Sequence, residues 1–185
     1  MIVSLTGFMG SGKSSVGAKL AARLGYEFVD LDRYIEDKIA LSIPEIFALK
    51  GENSFRAIEA EALRDVVIMA KLTGRDLVLA LGGGTLCIGG VRQLILEETL
   101  CIYLKSDLKT LEKRLQDEKD GRPLLKDEGA MEKLLQERSR IYESAHYIFC
   151  TEGKSVEEVA ENLCGLIKRQ SRDDKGKLMG IKGSI

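Results

Sequence analysis

At 185 residues the chain has the length of one domain, and its 44% hydrophobic content is enough for a single sizeable core without disulfide staples. With 31% of residues charged, 28 basic and 29 acidic residues leave a formal net charge of -1. That balance argues against a broad electrostatic nucleic-acid binder and leaves room only for a local basic pocket.

Along the chain, Met1 to Thr6 is a short apolar, β-branched run broken by Gly7 to Gly12. Val16, Leu20, Ala21 and Leu24 then recur at helical steps and stop at Gly25. Phe28 and Val29 read as a second strand, closed by Asp30 and Asp32. Ile35, Ile39 and Ala40 suggest a helix, and Ser42 with Pro44 and Glu45 reads as the cap and first turn of another. Leu77 to Leu81 is an apolar run stopped by Gly82, Gly83 and Gly84. Leu100 to Leu104 is the next, with Ser106 or Asp107 capping the helix of Leu108, Leu111 and Leu115. Tyr147 to Cys150 is the last strand candidate, and Val156, Val159, Leu163, Leu166 and Ile167 form the apolar face of a last helix.

Strands alternating with helices predict a parallel sheet covered on both faces. Two stretches depart from that rhythm: residues 32–60, which pack several helical pieces between strands, and 116–129, a charged segment that is either a lid or a solvated loop. The reading is therefore one domain over 1–170 with an insert and a candidate lid, followed by a mobile tail over 171–185. No run approaches the ~18 apolar residues of a membrane span, and no secretory signal opens the chain. Cys87, Cys101, Cys150 and Cys164 form no CxxC pair, so reduced thiols in a cytoplasmic protein are expected. The absence of tryptophan argues against an aromatic nucleic-acid platform. A solitary histidine, His146, removes His-based triads and most zinc sites; its bland reading is structural.

The strongest signal is Gly7-Phe8-Met9-Gly10-Ser11-Gly12-Lys13-Ser14, which satisfies G-x-x-x-x-G-K-[ST] where a strand opens into a helix. Gly10, Ser11 and Gly12 can turn backbone N–H groups toward one anion at a helix N-terminus, with Ser15 beside them. Lys13 can set a point charge on the β- and γ-phosphates of ATP, and the Ser14 hydroxyl can ligate Mg²⁺. No N/T-K-x-D motif for guanine follows, and motor or transporter ATPases usually need a longer chain. A small kinase remains, with space beside the cradle for an acceptor.

The acceptor side carries Phe28-Val29-Asp30-Leu31-Asp32 with Tyr34-Ile35-Glu36, then Phe55-Arg56 with Glu59, Gly82-Gly83-Gly84, Arg122-Pro123-Leu124-Leu125, and Glu137-Arg138 with Tyr142. Five such motifs in order behind a phosphate loop, from Met1 to about Leu166, make the chain similar to shikimate kinase. The resemblance implies a three-layer α/β/α fold of the P-loop NTPase, nucleoside-monophosphate-kinase-like kind. Its five-stranded parallel sheet would run in the order 2-3-1-4-5, with an acceptor-binding insert at 32–60 and a lid at 116–129. It also implies transfer of the γ-phosphoryl of ATP to the 3-hydroxyl of shikimate, with Mg²⁺, in a monomer.

By the same resemblance Asp32 holds the acceptor hydroxyls and is the candidate base, although an aspartate there can also cap the helix through Ile35. Asp30 matches the aspartate at the Mg²⁺ shell. Arg56 and Arg138 match the arginines that grip the carboxylate, a task suited to a planar guanidinium. Either could instead pair with Glu59 or Glu143 on a helix surface, and Arg140 competes with Arg138. Glu59 fits an orienting role. Phe47 and Phe55 could wall the ring pocket or simply be core. Gly82, Gly83 and Gly84 let backbone approach both ligands, the middle one donating to the acceptor. Arg122 matches the lid arginine that swings onto the transferring phosphate, and Arg114 the helix arginine that stacks on adenine. Lys154, in the loop Thr151 to Ser155, is the remaining nucleotide-side candidate. Gluconate or a nucleoside monophosphate as acceptor, and a non-catalytic nucleotide-binding module, are the alternatives.

Overall fold

A computed structural model describes residues 1–117 and 129–180, with side chains for 1–116 and 129–170. The lid arginine Arg122, with 118–128, and the last residues of the tail, 181–185, lie outside the described residues. Strands β1 (Ile2–Thr6), β2 (Glu27–Asp30), β3 (Leu77–Ala80), β4 (Leu100–Lys105) and β5 (Tyr147–Cys150) form one sheet in the order β2-β3-β1-β4-β5. Every pairing is parallel, with Val3 opposite Val78 on one side of β1 and Leu100 on the other. The helices are α1 (Lys13–Leu24), α2 (Leu31–Ile39), α3 (Ile43–Thr73), α4 (Gly89–Glu98), α5 (Leu108–Asp117), α6 (Ala130–Tyr142) and α7 (Val156–Gly180). None of the described helices is long and apolar enough to cross a membrane.

The central strands are largely apolar, with Ser4 and Thr6 of β1 as buried exceptions, because both of their faces are covered. Alternate side chains serve two separate core layers. Val3, Leu5, Val78, Ile102 and Leu104 pack with Val16 and Leu20 of α1 and Val159, Leu163 and Ile167 of α7. Leu77, Leu79, Cys101 and Tyr103 face the other way, onto Ile35, Leu63, Val67 and Ile95 from α2, α3 and α4. One polar pair sits inside this sheet. The buried Ser4 hydroxyl lies 2.7 Å from that of Thr99, which itself donates to the Ile95 carbonyl at 2.7 Å. Ser4 is therefore the donor of the pair, and neither hydroxyl is orphaned.

At Gly17 helix α1 runs close against Phe28 of β2. A β-carbon there would stand 2.6 Å from Cε2 of Phe28 and 3.4 Å from Leu5. Gly17→Ala is expected to destabilise the fold by about 1–2 kcal/mol, since overpacking outweighs alanine's better helix propensity. Calorimetric melting, with a fall of roughly 3–6 °C expected, checks this.

Local chemistry sets the insert. Ser42 accepts from the Glu45 N–H while the Glu45 carboxylate accepts from Ser42, a complete capping box before Pro44. Gly51, at φ 76° and ψ 171°, breaks α3 into two helical pieces, a conformation that side-chain-bearing residues avoid. The N-cap of α2 is Asp30, whose carboxylate accepts from the Arg33 N–H at 3.3 Å; Asp32 stands in the first turn and is relieved of that duty. Of the two candidates for α5, Asp107 caps, accepting from the Thr110 N–H at 2.7 Å. Ser106 instead bonds the Thr151 hydroxyl at 2.6 Å. His146 has its structural place too, its Nδ1 accepting from the Cys101 N–H at 3.0 Å.

Candidate active site

The phosphate loop leaves β1 at the carboxyl edge of the sheet, the edge at which open α/β sheets bind ligands. Gly12, at φ 88°, caps α1 with no side-chain hydrogen bond, so the first N–H groups of α1 face an open cleft of about 500 Å³. Gly10, Ser11, Gly12, Lys13, Ser14 and Ser15 all line it. Lys13 is folded over its own loop, its Nζ donating to the carbonyls of Gly7 at 3.0 Å and Phe8 at 2.9 Å.

The same cleft receives Asp30, Asp32 and Gly83 from the neighbouring strand ends. Ser14 Oγ donates to Asp30 Oδ2, so a hydroxyl and a carboxylate oxygen meet beside the phosphate position. Both are hard oxygen donors of the kind Mg²⁺ takes. Among the described residues no group of three or more His, Cys, Asp and Glu side chains gathers to hold an ion. That donor set fits an ion brought in largely on nucleotide phosphates and water, rather than one caged by protein.

Arg114 of α5 and Lys154, with Ser155, close the far end of the cleft. Arg114 Nη1 donates to the Gly10 carbonyl at 3.2 Å, and Lys154 Nζ stands 5.9 Å from the centre of the Phe149 ring. Both are cations at the mouth of the nucleotide side.

The acceptor side is built around the glycine turn after β3. A β-carbon on Gly82 would come within 2.8 Å of both Asp32 Oδ1 and Glu59 Oε1, so only a glycine lets two carboxylates close on the turn. A β-carbon on Gly84 would stand 2.6 Å from Nη1 and 2.7 Å from Nη2 of Arg56. Arg56 Nη1 donates to Glu59 Oε2 at 2.7 Å, and Nη2 to Glu52 at 3.4 Å. Burial alone would lower the Arg56 pKa, but the Glu59 carboxylate and then Glu52 more than offset it, so the guanidinium is held firmly charged.

Glu59 is only 1% exposed and also accepts from the Thr85 hydroxyl, which fixes the carboxylate that fixes Arg56. Phe55 is core, at 3% exposure, stacked on Phe47 with ring centres 4.5 Å apart. The Arg56 guanidinium lies 5.2 Å over the Phe55 ring, so this aromatic supports the arginine from below.

From the other side α6 brings Arg138 to the turn, its Nη1 donating to the Gly83 carbonyl at 3.3 Å. Arg140 is exposed, and Glu143 is taken by Lys105 at 3.1 Å. Two neighbours that the sequence reading did not assign complete this wall: Thr85 and the hydroxyl of Tyr142, which donates to the same Gly83 carbonyl.

The family model described as shikimate kinase matches residues 9–168. A shikimate kinase of Thermus thermophilus is 42% identical over 165 residues, covering 87% of this chain and 86% of that protein. The chain belongs to the shikimate kinase family. A solved structure of this family, shikimate kinase from Acinetobacter baumannii in complex with shikimate, superposes with a TM-score of 0.82 at 33% identity, covering 91% of this chain and 93% of that one. The shikimate kinase of Bacteroides thetaiotaomicron gives 0.80 at 29% identity, over 91% and 98%. The parallel order 2-3-1-4-5 expected of a shikimate kinase is the order observed. Arg56, Arg138 and the three glycines, scattered over more than eighty residues of sequence, meet at one turn. The family is one of ATP-dependent phosphotransferases, and the phosphate loop supplies the nucleotide half of that chemistry.

Proposed function

We propose that the chain transfers the γ-phosphoryl of ATP to the 3-hydroxyl of shikimate, giving 3-phosphoshikimate and ADP. The observation that carries this is a single cleft lined by both Lys13 and Asp32, next to a glycine turn flanked by two arginines. In this reading 1–170 is the catalytic domain, 32–60 its acceptor-binding insert and 116–129 its lid, with 171–185 as a tail outside the chemistry.

The loop N–H groups of Gly10, Gly12, Ser14 and Ser15 hold the β-phosphate, Ser11 braces the loop with its N–H donating to the Phe8 carbonyl at 3.2 Å, and Lys13 exchanges the Gly7 and Phe8 carbonyls for phosphate oxygens. Ser14, with Asp30 in the outer shell, would hold Mg²⁺. There it would supply positive charge against the phosphate oxygens of the nucleotide. Arg114 and Lys154 bound the base. Arg56 and Arg138 take the shikimate carboxylate, orienting the ring so that its 3-hydroxyl lies between Asp32 and the γ-phosphorus. The Gly83 N–H, with Gly82 and Gly84 leaving space, contacts the ring hydroxyls. Asp32 accepts the hydroxyl proton as the oxygen attacks in line. Arg122 is assigned by its motif alone, as the lid residue that meets the transferring phosphoryl group. Most of the acceleration is then positioning and fixed charge, without a covalent intermediate.

Four cysteines that are not paired with one another fit the cytoplasmic placement in this reading, and the family pattern fits a monomer; sedimentation velocity checks the oligomeric part. The decisive assay for the reaction is ADP release from Mg²⁺-ATP with shikimate, gluconate, AMP or no acceptor. Release with shikimate alone is expected. Release with gluconate or AMP instead would overturn the pocket assignment while leaving the phosphate-loop chemistry intact, and ATP binding without turnover on any acceptor would favour a non-catalytic module.

A further inference from the structure

Tyr142 takes no part in the chemistry above, yet its hydroxyl reaches into the centre of the site. The side chain is 0% exposed, its ring packed on Tyr103 of β4 with centres 5.1 Å apart, and the hydroxyl donates to the Gly83 carbonyl. Burial pushes this hydroxyl well above its ordinary pKa, so it remains a donor at every working pH. The neighbouring peptide plane is held as well, because the Gly82 carbonyl accepts from the Thr85 N–H at 3.2 Å. With its preceding carbonyl pinned, the Gly83 N–H is aimed the opposite way, since the peptide is trans.

The Gly83 carbonyl thus has two donors, Tyr142 and, at 3.3 Å, Arg138. A carbonyl oxygen has two lone pairs and can keep both. The two donors differ in what else is asked of them. Tyr142 is locked in the core. Arg138 is half-buried and, on the functional reading above, must turn to the substrate carboxylate.

We propose that Tyr142 is a positioning residue for the acceptor site, keeping the Gly83 carbonyl hydrogen-bonded while the substrate draws Arg138 away from it. The free energy of leaving this part-buried carbonyl without a partner, beneath an acceptor that shuts water out of the cleft, then never falls on the binding step. The proposal rests on the reading of Arg138 as a carboxylate ligand, and it predicts where the cost of losing the phenol appears. In Tyr142→Phe, Arg138 still satisfies Gly83 in the free enzyme, so the fold is little affected. When shikimate engages Arg138 the carbonyl is orphaned, and the penalty appears as lost acceptor affinity.

The test is calorimetric titration of shikimate and of an ATP analogue, with melting curves, on wild type, Tyr142→Phe, Arg138→Met and the double variant. For Tyr142→Phe, shikimate Kd should rise about fivefold or more, with the steady-state loss falling mainly on KM for shikimate. Nucleotide affinity should stay within about twofold and Tm within roughly 3 °C of wild type. In the Arg138→Met background the same phenol removal should lower Tm further, with no additional loss of shikimate affinity, because Gly83 has then lost both donors before substrate arrives. A merely structural tyrosine would lower Tm equally in both backgrounds and weaken both ligands alike. That result, unchanged shikimate affinity in Tyr142→Phe, or failure of that variant to fold while Arg138 is present, overturns the proposal. Wild type failing to bind shikimate at all would instead overturn the functional reading on which it stands.

Discussion

Asp32→Asn is expected to lower kcat for shikimate phosphorylation by about two to four orders of magnitude, the span a positioned general base contributes. The substitution preserves shape, so the group still fits beside Gly82, where the aspartate's Oδ1 comes within 2.8 Å of where a β-carbon would sit. What disappears is the negative charge and the ability to take a proton from the attacking hydroxyl; an amide presents a donor on one side instead. KM for ATP should stay within about twofold, because on the proposed reading Lys13 and the loop N–H groups, not Asp32, hold the phosphates. A small stability cost accompanies the change. Asp32 stands in the first turn of α2, where a negative charge complements the helix dipole. Losing it costs about 0.5 kcal/mol, or roughly 1–2 °C in Tm. Steady-state kinetics alongside melting curves separate the two effects. Turnover near wild type in a folded variant would remove Asp32 from the chemistry.

Gly84→Ala is expected to raise KM for shikimate by about 10²-fold while leaving the protein folded. Gly84 has φ -107°, which alanine adopts freely, so the backbone is not strained. The new β-carbon would stand 2.6–2.8 Å from the guanidinium atoms of Arg56, and something must give. The movable partner is the arginine, the free end of a flexible side chain that is 24% exposed. Shifted away, it loses its aligned bond to Glu59 and its two-pronged grip on a carboxylate, and charged hydrogen bonds of this kind are worth about 1.5–3 kcal/mol each. Nucleotide affinity, set on the far side of the turn, should be retained. The readout is again KM for each substrate. A variant whose shikimate KM stays within a few-fold of wild type would show that Arg56 is not the carboxylate anchor.

The two halves of the site differ in how far the sequence reveals them. The nucleotide half is contiguous, since one strand–loop–helix carries Gly7 through Ser14, and a local motif suffices to find it. The acceptor half is assembled by the sheet. Crossovers bring α3, the turn after β3, and α6 together, so Arg56 and Arg138 were legible only through the ordered family pattern. Thr85 escaped notice because a lone threonine carries no signal, and Tyr142, although part of the family pattern beside Arg138, had no role until the fold showed the carbonyl it reaches. Asp30 and Asp32 were both visible as strand-end acids, but which of them caps α2 depends on where the chain turns, and that is settled by dihedral angles rather than composition. Helix α4 was hidden by its opening Gly89-Gly90, among the weakest helix-forming pairs. The break at Gly51 was hidden in the opposite way, inside a run that otherwise favours helix throughout.

The buried hydroxyl of Ser4, in β1, meets that of Thr99, the residue just before β4, away from the ligands, and the pair bears on how the nucleotide side of the site stays aligned. β1 delivers the phosphate loop and its neighbour β4 leads into α5, which carries Arg114, so their spacing is a matter of strand register. Apolar side chains alone would allow β1 to slide, because valine, leucine and isoleucine on adjacent strands are nearly interchangeable partners. A slide by one residue would turn Ser4 away from Thr99 toward the opposite face and would move the phosphate loop by about 3.3 Å relative to Arg114. Two small hydroxyls buried far from the reaction thus act as an alignment pin between the phosphate loop and the helix that closes the far end of the cleft.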